Sequence, residues 1–251
     1  MNTPPVPEGC PPCSVILNSW GWSRQGEGRR ENEDAFLNWP ERRCWAVADG
    51  VGSSAHGGEA SRLLMTRLMD LPEPASLEAH VRNVRSCLEE TNGLLTSRSL
   101  WPGSAASTIV VLLMHDAQAA CLWSGDSRCY LQRNGRLYQC TRDHTLRQEK
   151  IDTGELTAPE AYRMIRGNII TQAIGAAAAR VDEIRFALRP GDRLLLCSDG
   201  LTNILGEAKL NSLLRDGDNA HACAERIRES LDGYPQPDDA TLIAVCLSPG
   251  K

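Results

Sequence analysis

Long apolar runs are missing from this sequence. The longest strictly aliphatic stretch is Ile109 to Met114, far short of the roughly 20 residues a helix needs to cross a bilayer. Met1 to Cys13 has neither the basic start nor the apolar centre of a secretory leader. Together these predict a cytoplasmic protein with no membrane partner. A basic excess is also lacking: 27 Lys and Arg stand against 32 Asp and Glu, for a formal net charge of -5, which argues against a nucleic-acid partner. Several catalytic signatures are absent as well. No cysteine is followed by arginine at the Cys-x5-Arg spacing of a cysteine-based phosphatase; Cys121 to Arg128 and Cys140 to Arg147 are one residue too long. There is no Gly-x-Ser-x-Gly elbow, no Walker loop and no His-Glu-x-x-His.

What is present suits one sizeable core: 251 residues, of which 41% are hydrophobic. Residues 1–13 carry five prolines and read as a flexible tail, leaving 14–251 as a single domain. Ser14 to Trp20 and Arg43 to Ala48 read as strands, and Glu59 to Leu71 and Ser76 to Thr96 as helices. Leu77, Val81, Val84, Leu88 and Leu95 form one helical stripe. Short β-rich runs follow: Ser107 to Met114, Ala119 to Ser124, Arg128 to Arg133 and Arg136 to Cys140, with Asn134-Gly135 as a hairpin turn. Residues 145–166 are polar and read as a mobile helical insert. Arg193 to Cys197 and Thr241 to Leu247 are apolar strands, with an amphipathic helix at Asn219 to Leu231 between them. Grouped helices and grouped strands argue for an α+β sandwich rather than a doubly wound parallel sheet.

The chemistry-bearing segments share a local design in which an acidic residue sits at the end of an apolar strand. They are Ala48-Asp49-Gly50, Gly125-Asp126-Ser127-Arg128, Ser198-Asp199-Gly200 and, leading into a strand, Asp238-Asp239-Ala240-Thr241. Arg29-x-x-Asn32-Glu33-Asp34 precedes them all. A single Asp-Gly is ordinarily only a turn. Several carboxylates anchored at rigid strand ends can instead converge on a divalent cation, since Mg²⁺ and Mn²⁺ take oxygen ligands.

In this order the segments resemble the metal-dependent type 2C serine/threonine protein phosphatases, especially compact bacterial members, from about Ser19 to the C-terminus. Asp143-His144-Thr145-Leu146 and Asn168 to Gly175 are similar to segments flanking a flap in that family, which here falls near 145–166. The resemblance implies a four-layer αββα sandwich of two antiparallel sheets flanked by helices. It also implies hydrolysis of phosphoserine and phosphothreonine by a hydroxide bridging two Mn²⁺ or Mg²⁺ ions. Asp49 would bridge the ions and the Gly50 carbonyl would ligate one; Asp199 and Asp238 would hold the other; Asp126 would serve a third. Glu33 and Asp34 would orient metal-bound waters, and Arg29, with Arg30 as rival, would bind phosphate.

Further implied are phosphorylated protein substrates shared with a cognate Ser/Thr kinase, a link to type VI secretion, and a monomeric state. A phosphatase-like module that binds phosphorylated partners without turnover is the alternative function, and a small phosphoester the alternative substrate. In the common bacterial pattern a histidine stands about where Ser54 is, so His56 is read as an exposed loop residue and not as the general acid. Cys10-Pro11-Pro12-Cys13 lacks the partners for a zinc site, and the other eight cysteines read as small buried hydrophobes. Asp143-His144 reads as a loop hydrogen-bond pair, and the tryptophans beyond Trp20 mostly as packing or rim residues, with Trp22, Trp39 and Trp101 on polar flanks as candidates for a partner contact.

Overall fold

The structure is a computed structural model describing residues 15–51, 56–97, 105–177 and 179–249. The Cys10/Cys13 pair, Ser54, Trp101 and the proline-rich tail lie outside them. The elements run in the order β1 (Val15–Arg24), β2 (Asp34–Trp39), β3 (Cys44–Val51), α1 (Gly57–Met69), α2 (Leu77–Ser97), β4 (Ala106–Ser107), β5 (Ile109–His115), β6 (Gln118–Ser124), β7 (Arg128–Arg133) and β8 (Arg136–Gln139). After these come α3 (Leu146–Asp152), α4 (Ala158–Met164), β9 (Asp182–Ala187), β10 (Arg193–Cys197), α5 (Asp199–Thr202), α6 (Glu207–Arg215), α7 (Ala220–Leu231) and β11 (Ala240–Pro249).

Period-2 alternation in the strands builds the layers. In β5, Val110, Leu112 and Met114 face one way while Ile109, Val111 and Leu113 face the other, and all six are buried. Only a strand covered on both sides tolerates this. The same split occurs in β10 and β11: Leu194, Leu196, Ile243 and Val245 join one cluster, while Leu195, Cys197, Leu242 and Ala244 join another. The outcome is three apolar interfaces. One lies between α1, α2 and their sheet, one between the two sheets, and one between the other sheet and α5, α6 and α7. Three interfaces require four layers, so the expected αββα sandwich is present.

The sheets run β1-β11-β10-β7-β8 and β2-β3-β5-β6-β9, with β4 beside β3, and every pairing is antiparallel. Both turn residues of Asn134-Gly135 have positive φ, 52° and 76°, as a type I′ hairpin requires. The stripe read on α2 is buried throughout, and the eight cysteines outside the tail are buried free thiols.

Some elements differ from the sequence reading. β1 extends to Arg24, because its ten residues all pair with β11. β2, β9 and α6 had no clear signal. β2 and β9 are edge strands with half-exposed faces, and α6 buries only Leu210 and Leu214. The polar segment 145–166 forms α3 and α4, whose base is tied by Leu146 N–H donating to the Ile169 carbonyl at 2.9 Å. Among the described residues no helix is long and apolar enough to cross a membrane.

Candidate active site

The acidic segments meet at one end of the sandwich. Asp34 opens β2 and Asp49 lies near the end of β3, and antiparallel register sets the two directly opposite each other. Asp126 occupies the turn after β6, Asp199 begins α5 directly after β10, and Asp238 lies just ahead of β11. The negative charges of Asp34, Asp199, Asp126 and Asp238 all bear on Asp49. Sequence-distant carboxylates thus gather around Asp49.

Backbone contacts make this placement rigid. Thr108 N–H and Ser107 Oγ donate to the Asp49 carbonyl at 2.8 and 2.9 Å. A Cβ on Gly50 would come within 2.3 Å of the Gly57 carbonyl carbon, so only glycine lets α1 close on the end of β3. Gly200 is as constrained: its Cβ would lie 1.9 Å from the Asp239 carbonyl oxygen.

The carboxylates are poorly compensated. Asp126 is 2% exposed, and neither of its Oδ atoms has a hydrogen-bond partner. Burial, with the charges of Asp199 and Asp143, pushes its carboxyl up to about 8. Asp34 accepts from Ser198 Oγ at 2.8 Å through Oδ2, but its Oδ1 is unpartnered, and burial raises its carboxyl to about 7. Asp49 is raised well above the ordinary carboxylate range by burial and then by its acidic neighbours. Asp199 is raised by burial and Asp238, although Asn168 and Asn203 donate to its Oδ2 at 3.2 and 3.1 Å.

Buried, mutually repelling oxygens with unfilled lone pairs are the donor set a hard divalent cation requires. Among the described residues no three acidic, histidine or cysteine side chains are already drawn together as a cage. Asp238 is instead turned to Arg29, whose Nη2 donates to Asp238 Oδ1 while Nη1 donates to Glu33 Oε2 at 3.3 Å. Burial would lower the Arg29 guanidinium, but the charges of Asp238, Asp239 and Glu33 outweigh it and raise its pKa. Arg29 thus bridges the rim of the cleft. Arg30 is exposed beside it.

Several residues read differently in the structure. Asp143 accepts both Nε and Nη2 of Arg128, at 2.8 and 2.6 Å, and buried His144 takes the Gly125 N–H on Nδ1 at 3.2 Å while Nε2 meets Asp182 at 3.1 Å. The two residues therefore brace opposite ends of the Gly125–Arg128 turn that carries Asp126, where the sequence suggested a pair bonded to each other. His56 directly precedes α1, half-buried, with Nδ1 3.7 Å from Glu59. Trp22 packs on the outer core cluster with Arg24 over its ring, and Arg42 covers Trp39. Ser198 and Asn168 stood in segments picked out from sequence but were given no role, and Asn203 was not singled out. The Ser198-Asp199 dipeptide was visible, but its contact with Asp34 spans 164 positions.

Comparison with known proteins agrees with this architecture. The family model described as protein phosphatase 2C matches residues 21–234. A serine/threonine phosphatase stp of Listeria innocua is 29% identical over 232 residues, covering 88% of this chain and 92% of its own. PppA, a key regulatory component of the type VI secretion system in Pseudomonas aeruginosa, superposes with a TM-score of 0.83 at 32% identity, over 94% of this chain and 99% of its own. The catalytic domain of the serine/threonine protein phosphatase PstP, solved in complex with two manganese ions, gives a TM-score of 0.78 at 28% identity, over 94% and 100%. Fold and comparisons together define a hydrolase built as an αββα sandwich. The chain belongs to the protein phosphatase 2C family and is a serine/threonine phosphatase.

Proposed function

We propose that this phosphatase removes phosphate from phosphoserine and phosphothreonine in proteins with the help of two divalent cations, Mn²⁺ or Mg²⁺. Asp49, the Gly50 carbonyl, Asp199 and Asp238 hold the two ions, and Asp126 holds a third. The observation that carries this reading is the set of buried carboxylate oxygens on Asp126 and Asp34 that no protein donor satisfies. When bound, such cations supply an activated water and neutralise phosphoryl charge. That the related PstP catalytic domain is solved in complex with two manganese ions supports divalent-cation dependence here.

The remaining steps belong to the chain. Arg29, paired to Asp238 in this structure, would bind two phosphoryl oxygens through its planar guanidinium as a fork once Asp238 serves as an ion ligand. Asp34 Oδ1 accepts a hydrogen bond from cleft water, and Ser198 Oγ on Oδ2 keeps that carboxylate aimed inward. Glu33, held by Ser61 Oγ on its carbonyl at 2.6 Å, orients water beside it. The physiological substrates are phosphoproteins of a cognate Ser/Thr kinase in the cytoplasm, and resemblance to PppA supports a place in type VI secretion. The enzyme acts as a monomer of one domain, 14–251, with 145–166 as its flap.

Release of phosphate from a phosphothreonine peptide, dependent on Mn²⁺ and abolished by chelator, tests this reading. No release at any metal concentration would instead support a non-catalytic binding module, and release confined to small esters a different substrate. Arg29→Ala is expected to raise KM for the peptide by about tenfold to a hundredfold, the loss of a charge-assisted contact. An unchanged KM and kcat would pass the role to Arg30 or remove it.

A further inference from the structure

The Arg29 loop is suspended from one buried carboxylate that the metal assignment leaves unused. Asp239, 2% exposed, accepts the Gly26 N–H on Oδ1 and the Glu33 N–H on Oδ2, both at 2.7 Å. These two amides mark the beginning and end of the segment 26–33 that carries Arg29 and Glu33. Within it, Arg29 N–H closes a turn onto the Gly26 carbonyl at 3.2 Å, with Gly28 at φ +82°, the conformation a type II turn requires at its third position. Gln25 Nε2 donates to the Arg29 carbonyl at 2.7 Å. The loop also leans on the neighbouring strand entrance, since a Cβ on Gly26 would come within 2.5 Å of the Asp238 carbonyl carbon.

We propose that Asp239 is a positioning residue that sets Arg29 for phosphate by clamping both ends of its loop. This rests on the phosphate-binding reading of Arg29. The chemistry calls for a carboxylate: two oxygens are needed to accept two backbone donors, and a carboxamide supplies one acceptor and turns an NH₂ toward the other N–H. Because both amides are fixed to the same carboxylate, the Arg29 guanidinium can exchange Asp238 for a phosphoryl group without the loop having to find its place anew. Asp239 itself touches neither the substrate nor the reacting atoms.

The test compares Asp239→Asn, Arg29→Ala and the double variant in the full chain with Mn²⁺ and a phosphothreonine peptide. Asp239→Asn is expected to raise KM about tenfold, the loss of one buried charge-assisted hydrogen bond, with kcat within about threefold. In the Arg29→Ala background the same change should leave KM where Arg29→Ala alone puts it. Amide hydrogen exchange, read without substrate, should quicken in the loop 26–33 and not in the strands. Should Asp239→Asn fail to fold, Asp239→Ser, which keeps one acceptor, serves in its place with the same expected pattern. An unchanged KM with unchanged exchange overturns the clamp, and effects that add to those of Arg29→Ala overturn action through Arg29. If Arg29→Ala alone leaves KM unchanged, the reading of Arg29 fails and the positioning role falls with it, while the exchange result separately reports whether the clamp exists.

Discussion

Asp49→Asn is expected to lower kcat by at least about a thousandfold, equivalent to about 4 kcal/mol of lost transition-state stabilisation, without unfolding the protein. The loss is large because Asp49 lies among Asp34, Asp199, Asp126 and Asp238, so neutralising it removes the charge common to the whole proposed ion site. The fold survives because its position is held by the backbone: Thr108 N–H and Ser107 Oγ hold the Asp49 carbonyl, and Thr108 Oγ1 accepts the Asp49 N–H at 3.2 Å. None of these bonds involves the carboxylate. In chelator the variant should melt no lower than the parent, since one of several repelling charges is gone. Steady-state assays, manganese calorimetry and circular dichroism check the three parts. Turnover within tenfold of the parent would remove Asp49 from the metal site.

The second large effect is a reversal of pH dependence by metal. Without cations, the carboxyls of Asp34 and Asp126 are raised from 3.8 to about 7 and about 8 by burial. Between about pH 4 and pH 8 the folded chain therefore keeps protons that the unfolded chain releases, and stability falls as pH rises across that window. With a few kcal/mol at stake, chelated protein should lose roughly 5–10 °C in Tm from about pH 5 to about pH 8. Saturating Mn²⁺ should raise Tm more at the upper pH, because ligation needs the deprotonated carboxylates. Asp126→Asn should flatten the chelated profile. Scanning calorimetry in chelator that gave a Tm rising with pH would contradict the idea that these groups are buried without compensation.

Both expectations depend on features of unequal visibility. The strand-end acidic segments could be picked out because each pairs an apolar run with a small, turn-forming neighbour, as in Ala46-Val47-Ala48-Asp49-Gly50. The αββα layering was implied by the resemblance and agrees with the doubly buried faces of β5, β10 and β11. The edge strands β2 and β9 escaped notice, since half-exposed strands carry a diluted alternation. Asp239 stood in plain sight beside Asp238, yet nothing local distinguishes a carboxylate that faces the cleft from one that faces two backbone amides. His144 gave a similar ambiguity: as a neighbour of Asp143 it suggested a mutual bond, whereas its ring is claimed by Gly125 and Asp182.

The amino-acid order alone set the local conformations: the Asn134-Gly135 hairpin, the apolar stripe of α2 and the turn after β6 that carries Asp126. These depend on backbone preferences and periodicity within a few residues. Asp49-Gly50, read as a turn, instead stays in β3 through pairing with β2 and β4. Which acidic groups meet, and which of them lack partners, was decided only by tertiary structure. Strand register puts Asp34 opposite Asp49 and, through the β1–β11 pairing, Asp239 beside Gly26, while sheet packing brings Ser198 to Asp34 and Asp239 to Glu33, each of the last three contacts across more than 160 intervening positions. Such contacts form when the apolar faces of separate layers close on one another, and no short stretch of chain carries that information.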